Sequence, residues 1–351
     1  MMKKKITIKD IAEECGISIG TVDRVIHQRG RFSKETGEKV RAAIERLEYT
    51  PMHTPANTSW KIGVNYPVDS SPLSFWKDAG SGIQQAAANI KNRGIEIVED
   101  CSSSYDPQQQ IQSIHNLLEQ KVDAIITTAF DSDMRTQTYY RDLIPDEIPF
   151  ATVVNKSWNN RCLFHIGPDD EAMGELMAKL ISLYCPKAPQ IALVAPNIEI
   201  EGTHNRIKGF INKVQKELHE LNVLQIAPVI TKTVSDSYTQ IGKETKKLLD
   251  MYEKLDALYV TNGYVQPVCD AIQESGRNEV QVFGHEVFEN MKSYLDDGRL
   301  TATIYQNPKQ QWYDAVMAMA SHLADGQRPP ELISADCHII TRESYPLVAL
   351  N

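Results

Sequence analysis

The chain has 351 residues, 42% hydrophobic and 24% charged, with a net charge of −9. That length exceeds one ordinary core and suits two or three domains, and the composition is that of a globular protein rather than a collagen-like or low-complexity one. No apolar run is long enough to cross a bilayer, so no membrane partner is expected.

The charge is unevenly spread. Residues 1–50 hold eleven Lys/Arg against eight Asp/Glu, a net of +3 that leaves −12 for the rest. A small basic unit on an acidic body points to a polyanionic partner for the first unit. Lys3 to Lys5 look like the start of a signal peptide, but Lys9, Asp10, Glu13 and Glu14 interrupt the apolar stretch that would have to follow. A cytoplasmic protein is expected. Six cysteines lie far apart, without CxxC or a zinc-like Cys/His spacing. They read as free thiols, and no metal site is expected.

Residues 6–49 read as helices only. Thr7 is the expected N-cap of a first helix, with Ile8, Ile11 and Ala12 on one face and Gly16 at its end. Ser18 caps a second, with Val22, Val25 and Ile26 on one face. Ser33 caps a third, which presents Val40, Ala43, Ile44 and Leu47. "GISIG", Gly16 to Gly20, matches the G-x-S-x-G nucleophile elbow. An elbow needs a strand before its serine. Here a helix precedes, so helix, glycine turn, helix is the better reading: a helix-turn-helix.

Residues 51–59, with two prolines and no periodicity, read as a linker. From Trp60 the pattern changes. Short β-branched runs ("KIGVNYP", "IEIVED", "VDAIITTA", "PFATVVN", "QIALVAP", "VLQIAPVIT", "DALYVTNG", "VQVFGHE", "LTATIYQN") alternate with helix-period stretches at 75–93, 107–120, 170–184, 205–220 and 308–325. The alternation predicts parallel sheets flanked by helices, in two α/β lobes. The expected lobes are about 60–160 with 307–327, and about 161–306 with 328–351.

The stretch "TIKDIAEECGISIGTVDRVIHQRGRFSKETGEKVRAAIERLEYTP", residues 7–51, resembles the DNA-binding headpiece of the LacI/GalR transcriptional regulators. That family reads T-[IL]-x-D-[IV]-A-x-x-[AC]-G-[VI]-S-x-x-T-V-S-R-V-[IL]-N and ends L-x-Y-x-P. The family also carries a two-lobed domain similar to periplasmic sugar-binding proteins, so the resemblance covers nearly the whole chain. It implies a ligand-responsive, sequence-specific repressor that binds double-stranded operator DNA as a homodimer, with half-sites about one helical turn apart.

On that resemblance, the helix from Ser18 to His27 enters the major groove. Arg24 forks onto guanine, Ile19 packs on a thymine methyl, and Gly20 offers backbone only. Thr7, Ser18, Thr21 and Ser33 hold phosphates. Asp23 replaces the family's Ser, and His27 its Asn. The family's hinge helix has a leucine that wedges into the minor groove. Residues 51–59 contain no leucine or arginine, and a plain tether is the reading here.

Candidate effector residues follow strand ends, where open α/β sheets bind ligands. They are Phe75 and Trp76 as a stacking platform, Asn155 and Lys156 where the family has Asp-Arg, Arg206 as a sugar clamp, Asn262, Glu286 for the family's Asp, and Gln306 beside an interlobe crossing. Lys156 and Arg206 suggest counter-charges for a sugar acid or sugar phosphate. Two other classes fit less well. A solute-binding protein without a regulatory role would not need residues 6–49. An α/β enzyme would need a motif that is absent: no G-x-G-x-x-G follows the first strand, and there is no P-loop or metal cluster. No cofactor and no catalytic residue is expected.

Overall fold

The structure, a computed structural model, describes residues 8–26, 32–47, 59–68, 75–102, 106–129, 143–156, 161–185, 188–198, 200–230 and 234–347. The chain divides into two compact units at Thr58/Ser59. The expected N-cap Thr7, His27 and linker residues 51–58 lie outside the described residues.

The first unit holds α1 (Ile8–Cys15), α2 (Ile19–Ile26) and α3 (Lys34–Arg46). Gly16 ends α1 at φ +62°, where only glycine is unstrained. Its N–H donates to Glu13 O while Ile17 N–H reaches back to Ala12 O, closing a Schellman-type end. The apolar stripes meet as their spacing requires: Ile11, Ala12, Cys15, Val22, Val25, Val40 and Ala43 form one small core, flanked by Ile8, Ile26, Ile44 and Leu47.

The second unit is built on two six-stranded sheets among the described residues. One has the order β2-β1-β3-β4-β5-β11, the other β7-β6-β8-β9-β10-β12. The strands are β1 (Trp60–Asn65), β2 (Ile95–Glu99), β3 (Ala124–Thr127), β4 (Phe150–Val153), β5 (Phe164–Gly167), β6 (Gln190–Pro196), β7 (Asn222–Val229), β8 (Ala257–Val260), β9 (Gln281–His285), β10 (Ala302–Tyr305), β11 (Leu332–Ser334) and β12 (His338–Ile340). Pairing is parallel except where β12 runs antiparallel to β10. Each sheet starts at an inner strand, moves to one edge, then reverses. That leaves a switch point beside β1 and beside β6, outside whose carboxyl ends a cleft forms.

The helices are α4 (Phe75–Ile90), α5 (Pro107–Glu119), α6 (Asp170–Tyr184), α7 (Glu201–Glu217), α8 (Val234–Met251), α9 (Val265–Glu274), α10 (Met291–Asp296) and α11 (Pro308–Asp325). They cover both faces of each sheet, so the strands are apolar on both sides. In β6, Ile191, Leu193 and Ala195 pack toward Met177 of α6 and Phe210 of α7, while Ala192 and Val194 pack toward Ile241 of α8 and Val268 of α9. The period of two splits one strand between two cores.

Two helix pairs approach at glycine distance. A Cβ on Gly174 of α6 would lie 2.0 Å from Arg206 O, and one on Gly209 of α7 would lie 2.0 Å from Glu171 O. In the other lobe, a Cβ on Gly82 of α4 would meet Lys309 O of α11 at the same distance.

The lobe boundaries differ from the sequence expectation. β5 pairs with β4 and β11 with β5, so residues 164–167 and 332–334 belong to the first lobe, not the second. The chain crosses after Gly167, after Tyr305 and between Ser334 and His338. β5 shows no strand period in the sequence because "FHIG" is short and carries a histidine. β11 and β12, each three residues long, are likewise too short to show a period, and α8, α9 and α10 add to the expected helical stretches.

Candidate functional site

In the headpiece, Ser18 caps α2: its Oγ accepts from Thr21 N–H at 3.1 Å and lies 2.9 Å from Thr21 Oγ1. Ser33 caps α3 in the same way, accepting from Thr36 N–H at 3.1 Å. Val22 and Val25 are buried, so the face of α2 carrying Ile19, Gly20 and Asp23 looks outward. Ile19 is 52% exposed, one of several large apolar side chains at the surface among the described residues. The Arg24 guanidinium lies back along the first turn of its own helix, with Nε donating to Gly20 O at 3.0 Å and Nη2 to Thr21 Oγ1 at 3.3 Å.

In the body, an open cavity of about 490 Å³ lies between the lobes. Val154, Asn155 and Lys156, just beyond β4, form one wall. The first turns of α6 and α7 (Asp169 to Glu175, and Glu201 to Asn205) form the other. Val154 sits at φ +68°, and Asn155 N–H donates to Val153 O at 2.8 Å. A β-branched residue at positive φ is strained. Here it is the centre of the tight turn that carries Asn155 and Lys156 to the cavity. Asn155 Nδ2 is anchored on Ala129 O at 2.9 Å, while Lys156 is exposed. His165 also lines the cavity. Register places it opposite Thr152, and its Nδ1 lies 2.9 Å from Thr152 Oγ1. Burial, with Lys156 nearby, lowers His165 to about 4, so its ring is neutral.

Behind the second wall is a buried polar cluster. Arg206 of α7, 7% exposed, donates from Nε to Asp170 Oδ1 at 2.8 Å and from Nη1 to Thr261 O at 3.2 Å. Burial works against its charge, but Asp170 and Glu286 outweigh it and hold the guanidinium above its ordinary value. Glu286 sits at φ +67° just beyond β9. Gln306 Nε2 donates to its Oε1 at 2.5 Å, and Gln311 Nε2 donates to Gln306 O at 2.7 Å. Burial pushes the Glu286 carboxyl up to about 7, with Arg206 and Gln306 drawing it back. Asn262 Nδ2 donates to Pro196 O at 3.0 Å, and its Oδ1 accepts from Tyr264 N–H.

The candidates therefore fall into three places. Asn155 and Lys156 line the cavity. Arg206, Glu286 and Gln306 converge behind it, reaching it through Asp170, with Asn262 beside Thr261. Phe75 and Trp76 are buried in an aromatic cluster: Trp76 lies 4.8 Å from Phe75 edge-on and 6.2 Å from Tyr66, which lies 5.4 Å from Trp312. They pack in the core of the first lobe and are not cavity lining.

Three participants were missed from the sequence. Asp170 opens the helical stretch 170–184 and His165 falls in the short β5, so neither stands out in the sequence. Gln110 is fully buried and donates to Asn65 Oδ1, Thr127 Oγ1 and Thr128 O at 2.6–3.0 Å, tying the ends of β1 and β3 together. A glutamine on the apolar stripe of "PQQQIQSIHNLL" was the available signal for it. Among the described residues, no group of three or more His, Cys, Asp or Glu has metal-holding geometry, and no helix is long and apolar enough to cross a membrane.

Comparison with known proteins agrees with this two-part layout. A family model described as bacterial regulatory proteins, lacI family, matches residues 7–52. A model described as periplasmic binding protein domain matches residues 62–328. The HTH-type transcriptional regulator DegA of Bacillus subtilis (strain 168) is 30% identical over 283 residues, 79% of each chain. The lactose operon repressor of Escherichia coli (strain K12) is 31% identical over 300 residues, 83% of this chain and 78% of that one. Among solved structures, a periplasmic ribose ABC transporter from Conexibacter woesei DSM 14684 superposes with a TM-score of 0.71. It covers 84% of this chain and 96% of that one at 19% identity, a likeness of fold.

Proposed function

The chain belongs to the lacI family of bacterial regulatory proteins and is a DNA-binding transcriptional regulator, and from that premise we propose which residues read its operator and which sense its effector. The relatives are transcriptional regulators rather than enzymes. We place the protein in the cytoplasm as a homodimeric repressor, its two headpieces spanning a near-palindromic operator.

In the reading we favour, α2 enters the major groove. Ile19 meets a thymine methyl, Gly20 lets the backbone approach closely, and Arg24 swings from Gly20 O onto guanine O6 and N7. Thr21, Ser18 and Ser33, with Thr7, hold phosphates at helix starts. Asp23 and His27 flank the reading face. Of these, the observation that carries the reading is Ile19: an exposed isoleucine beside a capped helix start, on the face opposite the headpiece core.

The effector is a small polyhydroxylated molecule in the interlobe cleft, with Asn155 and Lys156 on its lining and Arg206, Asn262, Glu286 and Gln306 in the buried cluster behind the opposite wall. Phe75 and Trp76 support the wall rather than stack on the ligand. Ligand that binds the closed arrangement more tightly shifts the lobes toward it, and the shift changes how the headpieces are held on DNA.

The test is a gel shift on DNA upstream of the protein's own gene, using the parent and Arg24→Ala. The expected loss is about 1–3 kcal/mol of discrimination at one base pair in each half-site. Sequence preference unchanged by the substitution would refute the assignment of Arg24.

A further inference from the structure

We infer that Gln110 of α5 is a positioning residue for the interlobe cleft: its side-chain amide fixes the end of β3, and the end of β3 fixes the turn that presents Asn155 and Lys156. The inference rests on the effector reading above and deepens it.

The first observation is where Gln110 sits. It is fully buried, on the face of α5 that also buries Ile111, Ser113, Ile114 and Leu117. Its Oε1 has no hydrogen-bond partner. A buried amide with an unpaired oxygen carries a cost that a leucine or methionine of similar volume would not. Packing therefore does not account for a glutamine here; what its Nε2 holds does.

The second is what Nε2 holds. Thr128 O lies 2.6 Å away, Thr127 Oγ1 2.9 Å and Asn65 Oδ1 3.0 Å. The amide has two hydrogens for these acceptors. The acceptors do not depend on it equally. Asn65 Oδ1 also accepts from Thr127 Oγ1 at 3.1 Å, whereas that hydroxyl is 3.4 Å from Thr128 O. Loss of the amide would thus be felt most at Thr128, just beyond β3.

The third is how residues 128–129 reach the cavity wall. Asn155 N–H points to Thr128 Oγ1 at 3.4 Å, and Asn155 Nδ2 donates to Ala129 O at 2.9 Å. Ala129 N–H donates back to Asn155 O at 3.4 Å. Val154, strained at φ +68°, is held from the other side, where its N–H donates to Ile166 O of β5 at 2.8 Å. The turn therefore hangs between β5 and the end of β3, and Gln110 sets the second support. A shift of Thr128 moves Asn155 and, next to it, Lys156, both on the cavity lining.

The experiment is hydrogen exchange read by mass spectrometry on the full-length protein, with no effector added. Gln110→Met keeps the length of the side chain and removes both N–H groups. Thr128→Val removes only the hydroxyl that faces Asn155. Thr127→Val removes an acceptor that does not lead to the turn and leaves two acceptors for the two hydrogens of Gln110. Exchange at residues 154–156 is expected to rise about tenfold in Gln110→Met and in Thr128→Val, and to stay within about twofold of the parent in Thr127→Val. The strand β1 is expected to keep its protection in Gln110→Met. No rise at 154–156 in either of the first two variants overturns the inference. So does an equal rise at 154–156 and along β1 in Gln110→Met, which would mean that the glutamine only holds the lobe together. So does a Thr127→Val turn as loose as that of Thr128→Val, a comparison that decides the matter even if Gln110→Met does not fold. Each of these results leaves the effector reading standing. That reading falls separately, if no hexose, pentose, polyol, sugar acid or sugar phosphate gives heat with the parent in calorimetry.

Discussion

Gly174→Ala is a one-methyl change whose cost is set by backbone geometry. The added carbon would lie 2.0 Å from Arg206 O, and 2.8 Å from both Arg206 C and Phe210 N. Carbon atoms are comfortable at about 3.5–4.0 Å, so α6 and α7 must separate by ~1 Å or more. Neither side has a flexible tip that can yield; both are helix backbone. Overpacking costs about 1–3 kcal/mol, and a collision of this kind belongs at the upper end, about 3 kcal/mol, or roughly 5 °C in Tm for a unit of this size. The carbonyl that is struck belongs to Arg206, so the shift also disturbs the Asp170 pair behind the cleft, and ligand affinity should fall with stability. Circular dichroism melting measures the first effect. Tryptophan fluorescence follows the body alone, since Trp60, Trp76, Trp158 and Trp312 all lie beyond residue 59. A Tm within ~1 °C of the parent would refute the close helix approach.

Gly242→Ala is the opposite case. It lies inside α8, and its Cβ would meet nothing nearer than Pro267 O at 3.8 Å. Urea denaturation should show a gain of about 0.5–1 kcal/mol from reduced freedom of the unfolded chain. Glu286→Gln tests the buried carboxyl through pH. Its folded value is raised to about 7 from 4.5, so native stability is highest with the group protonated and is lost as pH rises through 7. Melting curves should show the variant more stable than the parent at pH 8. The advantage should shrink as pH falls and vanish below about 4.5, because Gln mimics the protonated acid. A variant less stable than the parent at pH 8 would mean that Glu286 gains more from Arg206 than it loses by burial.

Much of this was legible in the chain because the local signals agree with one another. α6 and α11 match their sequence-expected bounds, 170–184 and 308–325, since each starts at an acidic or Asn-Pro cap and keeps its apolar period throughout. Most of the headpiece core was readable from i, i+3, i+4 spacing, with Cys15, Ile17 and Phe32 added by the structure. The body's short strands were not: β5, β11 and β12 have too few residues to establish a period, and their membership is set by register with distant neighbours. α8 was obscured by its polar sequence, "VSDSYTQIGKETKKLLDM", which gets its burial from packing beneath β6 and β7. Strand-end position picked out Asn155 and Lys156, which line the cavity, and Asn262 and Glu286, which lie outside its lining. The partner that determines the charge of Arg206 could not be seen. Asp170 lies 36 residues upstream on another helix, and only the close α6–α7 approach permitted by Gly174 and Gly209 brings the two together.

The three crossings between lobes also dictate an order of assembly. The first lobe begins at β1, but α11, whose Trp312, Val316 and Met319 cover Ile62, Val64 and Ile126, follows the whole of β6 to β10 in the chain. A growing polypeptide thus completes the inner strands of its second lobe before its first can be sealed. A nascent chain halted near residue 306 would display the bare apolar face of β1 and β3, a surface suited to chaperone capture and to aggregation. Neither lobe can be obtained by cutting the chain once, and a separately folding half would require α11 to be spliced directly behind β5.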